Sequence, residues 1–170
     1  MSRIFENATE TIIWLGKEDD DTEHAFRCIS RLAAAPEDSV NRLSDGMMSH
    51  PLERTLIDGA GRPLRDLLAR PWFSRLWALQ EAVLSAAPRF ICGTKSVSWD
   101  EFKTAILNAS VIFEIDVANT LPIMHGWRLR RQEGLHTTLL SLLMDMWLFD
   151  CTDPRDRVYA LLSMQDSRRR

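Results

Sequence analysis

The sequence predicts an α/β fold, helix-rich and built on a short parallel sheet. Three observations carry that expectation. Of the 170 residues, 45% are hydrophobic and 26% charged, the balance of a chain that buries a globular core. Two short β-branched or aromatic runs, at residues 10–16 and 89–92, lead into the glycines Gly16 and Gly93. Between and after these runs, apolar residues recur at helical spacing in stretches bounded by Pro, Ser, Thr and Asp. The length fits one unit, so residues 1–165 read as a single domain and residues 166–170, ending in three arginines, as a basic tail.

The elements follow in order. Residues 10–16 form a buried strand feeding an acidic turn at 17–21. Thr22 caps a helix over about 23–35, with Ala25, Phe26, Ile29, Leu32 and Ala33 on one face and Pro36 as its stop. Residues 37–62 read as an insertion with one short helix after Pro51. Pro63 and Pro71 suit a first helical turn, where a missing N–H costs nothing, and predict helices over 64–69 and 72–86. A second strand at 89–92, a turn at 93–95 and a short return strand at 96–98 come next. Ser98 and Glu101 have capping-box spacing, opening a helix with Phe102, Ile106, Ala109 and Phe113 on its inner face. Arg128, Arg130 and Arg131, within 118–135, read as a solvated face or loop. An apolar core helix over about 136–149 is too short to span a bilayer and is interrupted by Asp145. Asp153, Pro154 and Asp156 read as the N-cap, first position and first-turn acid of a terminal helix. Among the six tryptophans, Trp14 and Trp147 read as core, and Trp72, Trp77, Trp99 and Trp127 as partly exposed.

Composition narrows function by exclusion. A net charge of −3 supplies no field for nucleic acid or anionic lipid. Cys28, Cys92 and Cys151 form neither a disulfide framework nor a metal half-site, and the four histidines have no i,i+4 partner, so a reducing, cytoplasmic location and no metal are expected. No phosphate-binding, dinucleotide, zinc-protease or nucleophile-elbow motif is present.

The stretch from Trp72 to Leu84 holds the chemistry. On the expected helix Trp77 and Glu81 are four apart and share a face, with Ser74 a turn earlier, while Leu76, Leu79 and Val83 point to the core. An indole beside a carboxylate limits its solvation and offers a stacking surface for a nucleotide base or sugar. The opposing reading is structural: Arg75 or Arg70 pairs with Glu81 at the surface and Trp77 merely packs. Spacing alone favours packing, and for Asp153, Arg155 and Asp156 it favours capping.

Resemblance adds to this. Arg70-Pro71-Trp72-Phe73-Ser74-Arg75-Leu76-Trp77-Ala78-Leu79-Gln80-Glu81 resembles the RPWFxRxWxxQE signature of the fungal heterokaryon incompatibility domain. Cys151-Thr152-Asp153-Pro154-Arg155-Asp156-Arg157-Val158-Tyr159-Ala160-Leu161-Leu162 is similar to its second hallmark, CxDPRDxVYALL. Ile4-Phe5-Glu6-Asn7-Ala8 and Ile12-Ile13-Trp14-Leu15-Gly16 resemble its IYxxA and VIVWLG stretches. The family is implicated in nonself recognition between fungal strains and in programmed cell death, and is related to Toll/interleukin-receptor domains with a flavodoxin-like sheet. Some of those cleave NAD at the nicotinamide–ribose bond. Against their SxWCxxEL helix, the tryptophan-to-glutamate spacing gives Glu81 the catalytic position, with Trp77, Ser74, Arg75 and Gln80 around the substrate and Asp153, Pro154, Arg155, Asp156 and Tyr159 as a structural motif.

The resemblance implies no cofactor, with NAD as a possible substrate, and like domains or an upstream receptor as partners. It also implies that the family's early strands, a WIDxxCINQ region among them, are missing before Met1, so that the chain reads as a truncated copy, a partial gene model or a divergent remnant with an open sheet edge beside Ile12 or Ile91. The alternative is a non-enzymatic interaction module or an inactive fragment.

Overall fold

The computed structural model describes residues 2–36, 61–113 and 120–165. Its sheet has three strands, β1 (Thr11–Trp14), β2 (Pro88–Cys92) and β3 (Lys95–Ser98), in the order β1-β2-β3. Thr11 N–H donates to the Ala87 carbonyl at 3.1 Å and Leu15 N–H to that of Ile91 at 2.8 Å, so β1 and β2 advance together and are parallel. β3 returns antiparallel, with Phe90 opposite Val97 and Ile91 opposite Ser96. The expected short parallel sheet is therefore one parallel pair plus a hairpin. That hairpin turns on Gly93, whose φ of +55° is left-handed and where an added Cβ would stand 2.7 Å from the Glu18 Cβ.

Alternation along β1 buries Thr11 and Ile13 and turns Ile12 and Trp14 outward. Trp14 is thus 53% exposed, not core. Trp72, Trp99 and Trp127, expected to be partly exposed, are all buried.

The chain forms two compact units. One comprises Met1–Ile13, Pro71–Pro88 and Asn119–Arg170, the other Trp14–Arg70 and Arg89–Ala118. In the second, α2 (Thr22–Ala33) buries Ala25, Phe26, Ile29 and Leu32 and packs on α3 (Gly61–Leu68) and α5 (Trp99–Phe113). The Ser98/Glu101 capping box forms as expected: Glu101 N–H donates to Ser98 Oγ at 3.3 Å, and Ser98 N–H to Glu101 Oε2 at 3.2 Å. Phe90 meets Trp99 and Phe102 at centroid distances of 5.5 and 4.3 Å, joining the sheet to α5.

Arg70 ties down the loop after β1. Its Nη1 donates to the Leu15 and Lys17 carbonyls, both at 2.9 Å, and its Nη2 meets Asp19 Oδ2 at 2.6 Å. Thr22 does not cap α2. It lies inside the helix, donating through Oγ1 to Asp19 Oδ1 at 2.7 Å, and that hydroxyl, with Arg70 adding to it, holds the Asp19 carboxyl below its ordinary range.

In the first unit, α1 (Ser2–Asn7) packs on α4 (Ala78–Leu84), α4 on α6 (Thr120–Gln132), and α7 (Leu139–Asp145) on α8 (Asp156–Leu162). The helix expected over 72–86 is shorter. Leu76 N–H donates to the Asp150 carbonyl at 2.9 Å and Asp150 N–H to that of Ser74 at 2.7 Å, so this backbone is engaged by a parallel bridge and residues 71–77 run in turns. Residues 120–132 are a helix, not a loop, and of its three arginines only Arg130 and Arg131 stay near solvent. Arg130 lies over the Trp127 ring at 5.2 Å, and Arg131 pairs with Glu6 at 2.7 Å. The helix expected over 136–149 is α7 followed by a 3₁₀ turn, Met146–Leu148, and Trp147 on that turn is 69% exposed. The helix expected after Pro51 and the tail at 166–170 lie outside the described residues.

Candidate functional site

The two motifs that sequence reading singled out, residues 70–81 and 151–162, meet in the first unit, with Arg70 alone falling in the second. Besides the bridge between Arg75 and Asp150, three side-chain bonds build the site. Trp77, just ahead of α4, donates its indole N–H to Asp156 Oδ2 at 3.0 Å. Gln80, only 2% exposed, donates Nε2–H to the Ala160 carbonyl at 2.7 Å. Trp72 donates its indole N–H to Glu81 Oε2 at 2.7 Å. The first two join α4 to α8, and the third closes the first motif on itself.

Local sequence explains these placements. Because α4 starts at Ala78, Trp77 falls at its threshold and Glu81 in its first turn, where a carboxylate opposes the positive helix end. Ala78, Leu79, Ala82 and Val83 are buried, as are Ala160 and Leu161 on α8. Asp153 does not take the expected N-cap position: α8 begins at Asp156 behind Arg155, which makes no side-chain cap bond, and Asp153 instead closes the preceding turn, its Oδ1 accepting Arg155 N–H at 2.9 Å and its carbonyl accepting Asp156 N–H at 2.9 Å, with Pro154 between. The Arg155 guanidinium returns to Asp153 at 3.4 Å in an exposed pair of little energetic weight. Asp156 receives Trp77 as well as opening α8.

The expected side-chain set is therefore rearranged. Glu81 is partnered by Trp72, not stacked beside Trp77, and neither Arg70 nor Arg75 pairs with it: Arg70 holds the loop after β1 and Arg75 is exposed. Ser74 donates to the Pro71 carbonyl at a long 3.4 Å. Tyr159 is exposed. A hollow of about 240 Å³ in this unit is lined by Leu76, Leu143, Met146, Trp147, Arg157 and Leu161, and neither Glu81 nor Trp77 lines it.

Sequence reading missed one residue that shapes the site. Arg128, buried on α6, donates Nη1 to the Ala82 carbonyl at 2.8 Å and to that of Ser85 at 2.5 Å, and Nη2 to that of Ala86 at 2.8 Å. It thereby caps the C-terminal end of α4, where helix carbonyls lack partners. Its one local signal is position: Leu121, Met124, Trp127 and Arg128 lie on the buried face of α6.

Among the described residues no group of His, Cys, Asp or Glu is placed to hold a metal ion, and no helix is long and apolar enough to cross a membrane. The family described as Heterokaryon incompatibility protein (HET) matches residues 1–81, ending on Glu81, the last residue of the first motif. The match covers just under half of the chain. The family resemblance read from its motifs is thus borne out. A curated relative, "Heterokaryon incompatibility protein 6, OR allele" of Neurospora crassa, is 24% identical over 209 residues, a match covering 96% of this chain and 31% of the relative. The chain spans less than a third of that relative's length. No solved structure matches.

Proposed function

We propose that this chain serves fungal incompatibility, the recognition of nonself between strains that leads to cell death, as a recognition and assembly domain. The heterokaryon incompatibility match and the name of the Neurospora relative support the process. The observation that carries the mode of action is the engagement of one motif by the other. Trp77 and Gln80 hold α8 through Asp156 and Ala160, so these polar atoms of the motifs stabilise a surface of packed helices instead of facing a ligand. A domain of this kind binds through the outer faces of the helices so fixed.

One observation favours a second reading. Glu81 keeps one oxygen bonded to Trp72, while Oε1 has no partner among the described residues. A carboxylate oriented in that way can stabilise oxocarbenium character on the ribose of NAD as the C–N bond to nicotinamide breaks. The bonding pair leaves with nicotinamide, which departs neutral and needs no general acid; water adds to the ribose carbon and loses its proton to solvent. A coupled assay of purified protein for free nicotinamide separates the readings. The recognition reading expects no NAD cleavage by wild type at any protein concentration. Cleavage that disappears in Glu81→Gln would establish the second reading and overturn the first.

A further inference from the structure

Helix α7 and the turn after it carry two apolar stripes where a surface helix ordinarily carries one. Leu142, Met146 and Phe149, spaced i, i+4, i+7, are buried. Leu140, Leu143, Met144 and Trp147, spaced i, i+3, i+4, i+7, are all exposed, three of them by more than two thirds. Single exposed hydrophobics are ordinary, but four in helical register, including a flexible Met and a large indole, make a contact face.

This stripe borders the hollow between α7 and α8, for Leu143 and Trp147 line it together with Leu76, Met146, Leu161 and Arg157. Arg157 is the one charged residue in that lining, and its guanidinium has no hydrogen bond or ion pair among the described residues. A guanidinium at an apolar hollow is complemented by a carboxylate that enters with apolar side chains. The lining itself supplies no acid to Arg157.

We propose that this face docks an amphipathic helix of another protein, with apolar residues at i, i+3, i+4 and i+7 and an Asp or Glu reaching Arg157. The inference deepens the recognition reading and rests on it.

The test uses two fluorescein-labelled peptides of about 18 residues, long enough to be helical. Both present leucines at that spacing, one flanked by glutamates and the other by lysines. Fluorescence anisotropy with the full chain should show the acidic peptide binding at least about tenfold more tightly, a difference of about 1.4 kcal/mol. Arg157→Glu should reverse the preference, and Met144→Ser, at an exposed site that leaves the fold intact by circular dichroism, should weaken both peptides. Equal binding of the two peptides overturns the proposal. So does no binding at about 1 mM, the weak end of specific recognition. Concentration-dependent dimerisation abolished by Met144→Ser would assign the face to a second copy, and sedimentation with phosphatidylserine vesicles would assign it to a membrane; each overturns the proposal. Because NAD cleavage is measured separately, loss of this proposal leaves the recognition reading standing.

Discussion

Replacing Arg128 with methionine should lower the unfolding free energy by about 3 kcal/mol, read as a shift in the midpoint of equilibrium urea denaturation. Methionine keeps the apolar stem of the side chain and removes all three donated bonds, to the carbonyls of Ala82, Ser85 and Ala86. Those acceptors surround the C-terminal end of α4, so the loss combines unmade hydrogen bonds with a cation taken from the negative end of a helix. Arg128→Lys should recover about half, because an ammonium keeps the charge but cannot fork to three carbonyls. A shift equivalent to less than about 1 kcal/mol for the methionine variant would mean that these carbonyls find water instead.

Gln80→Ala should cost about 2–3 kcal/mol by the same measurement. Gln80 is buried between α4 and α8, and its truncation removes the bond to the Ala160 carbonyl and leaves a void. Its Oε1 has no partner among the described residues, so the native side chain already contains one uncompensated polar atom. Gln80→Met fills the space and deletes that atom too, so it should cost only about 1 kcal/mol. A measurable cost for methionine separates a polar contact from a purely apolar one, which methionine would preserve without loss.

What was legible in the sequence was local. The β-branched runs ending at Gly16 and Gly93, the inner face of α2 and the Ser98/Glu101 box depend on residues within a few positions of one another, and all three form. Contacts distant in sequence decided the rest. The helix expected from Trp72 begins only at Ala78 because Leu76 and Ser74 are bonded to Asp150. Arg128 is buried because carbonyls more than forty residues away receive it. Trp14 looked like core by composition, but a four-residue strand has two faces and Ile13 takes the inner one. The motifs themselves were legible as residues, yet the partner of each was not. A four-residue spacing puts Trp77 beside Glu81 only if helix already runs through both, and the helix starts between them.

The mutual engagement of the two motifs is tested most directly by a double-mutant cycle on Trp77→Phe and Asp156→Ala. Trp77→Phe removes the indole donor while keeping an aromatic ring, and the cycle subtracts the effect of Asp156 on its own helix end. A coupling energy of about 1–2 kcal/mol is expected for a partly buried hydrogen bond to a carboxylate. Additivity within about 0.3 kcal/mol would show that the motifs lie side by side without holding each other, contradicting the account of what these residues do.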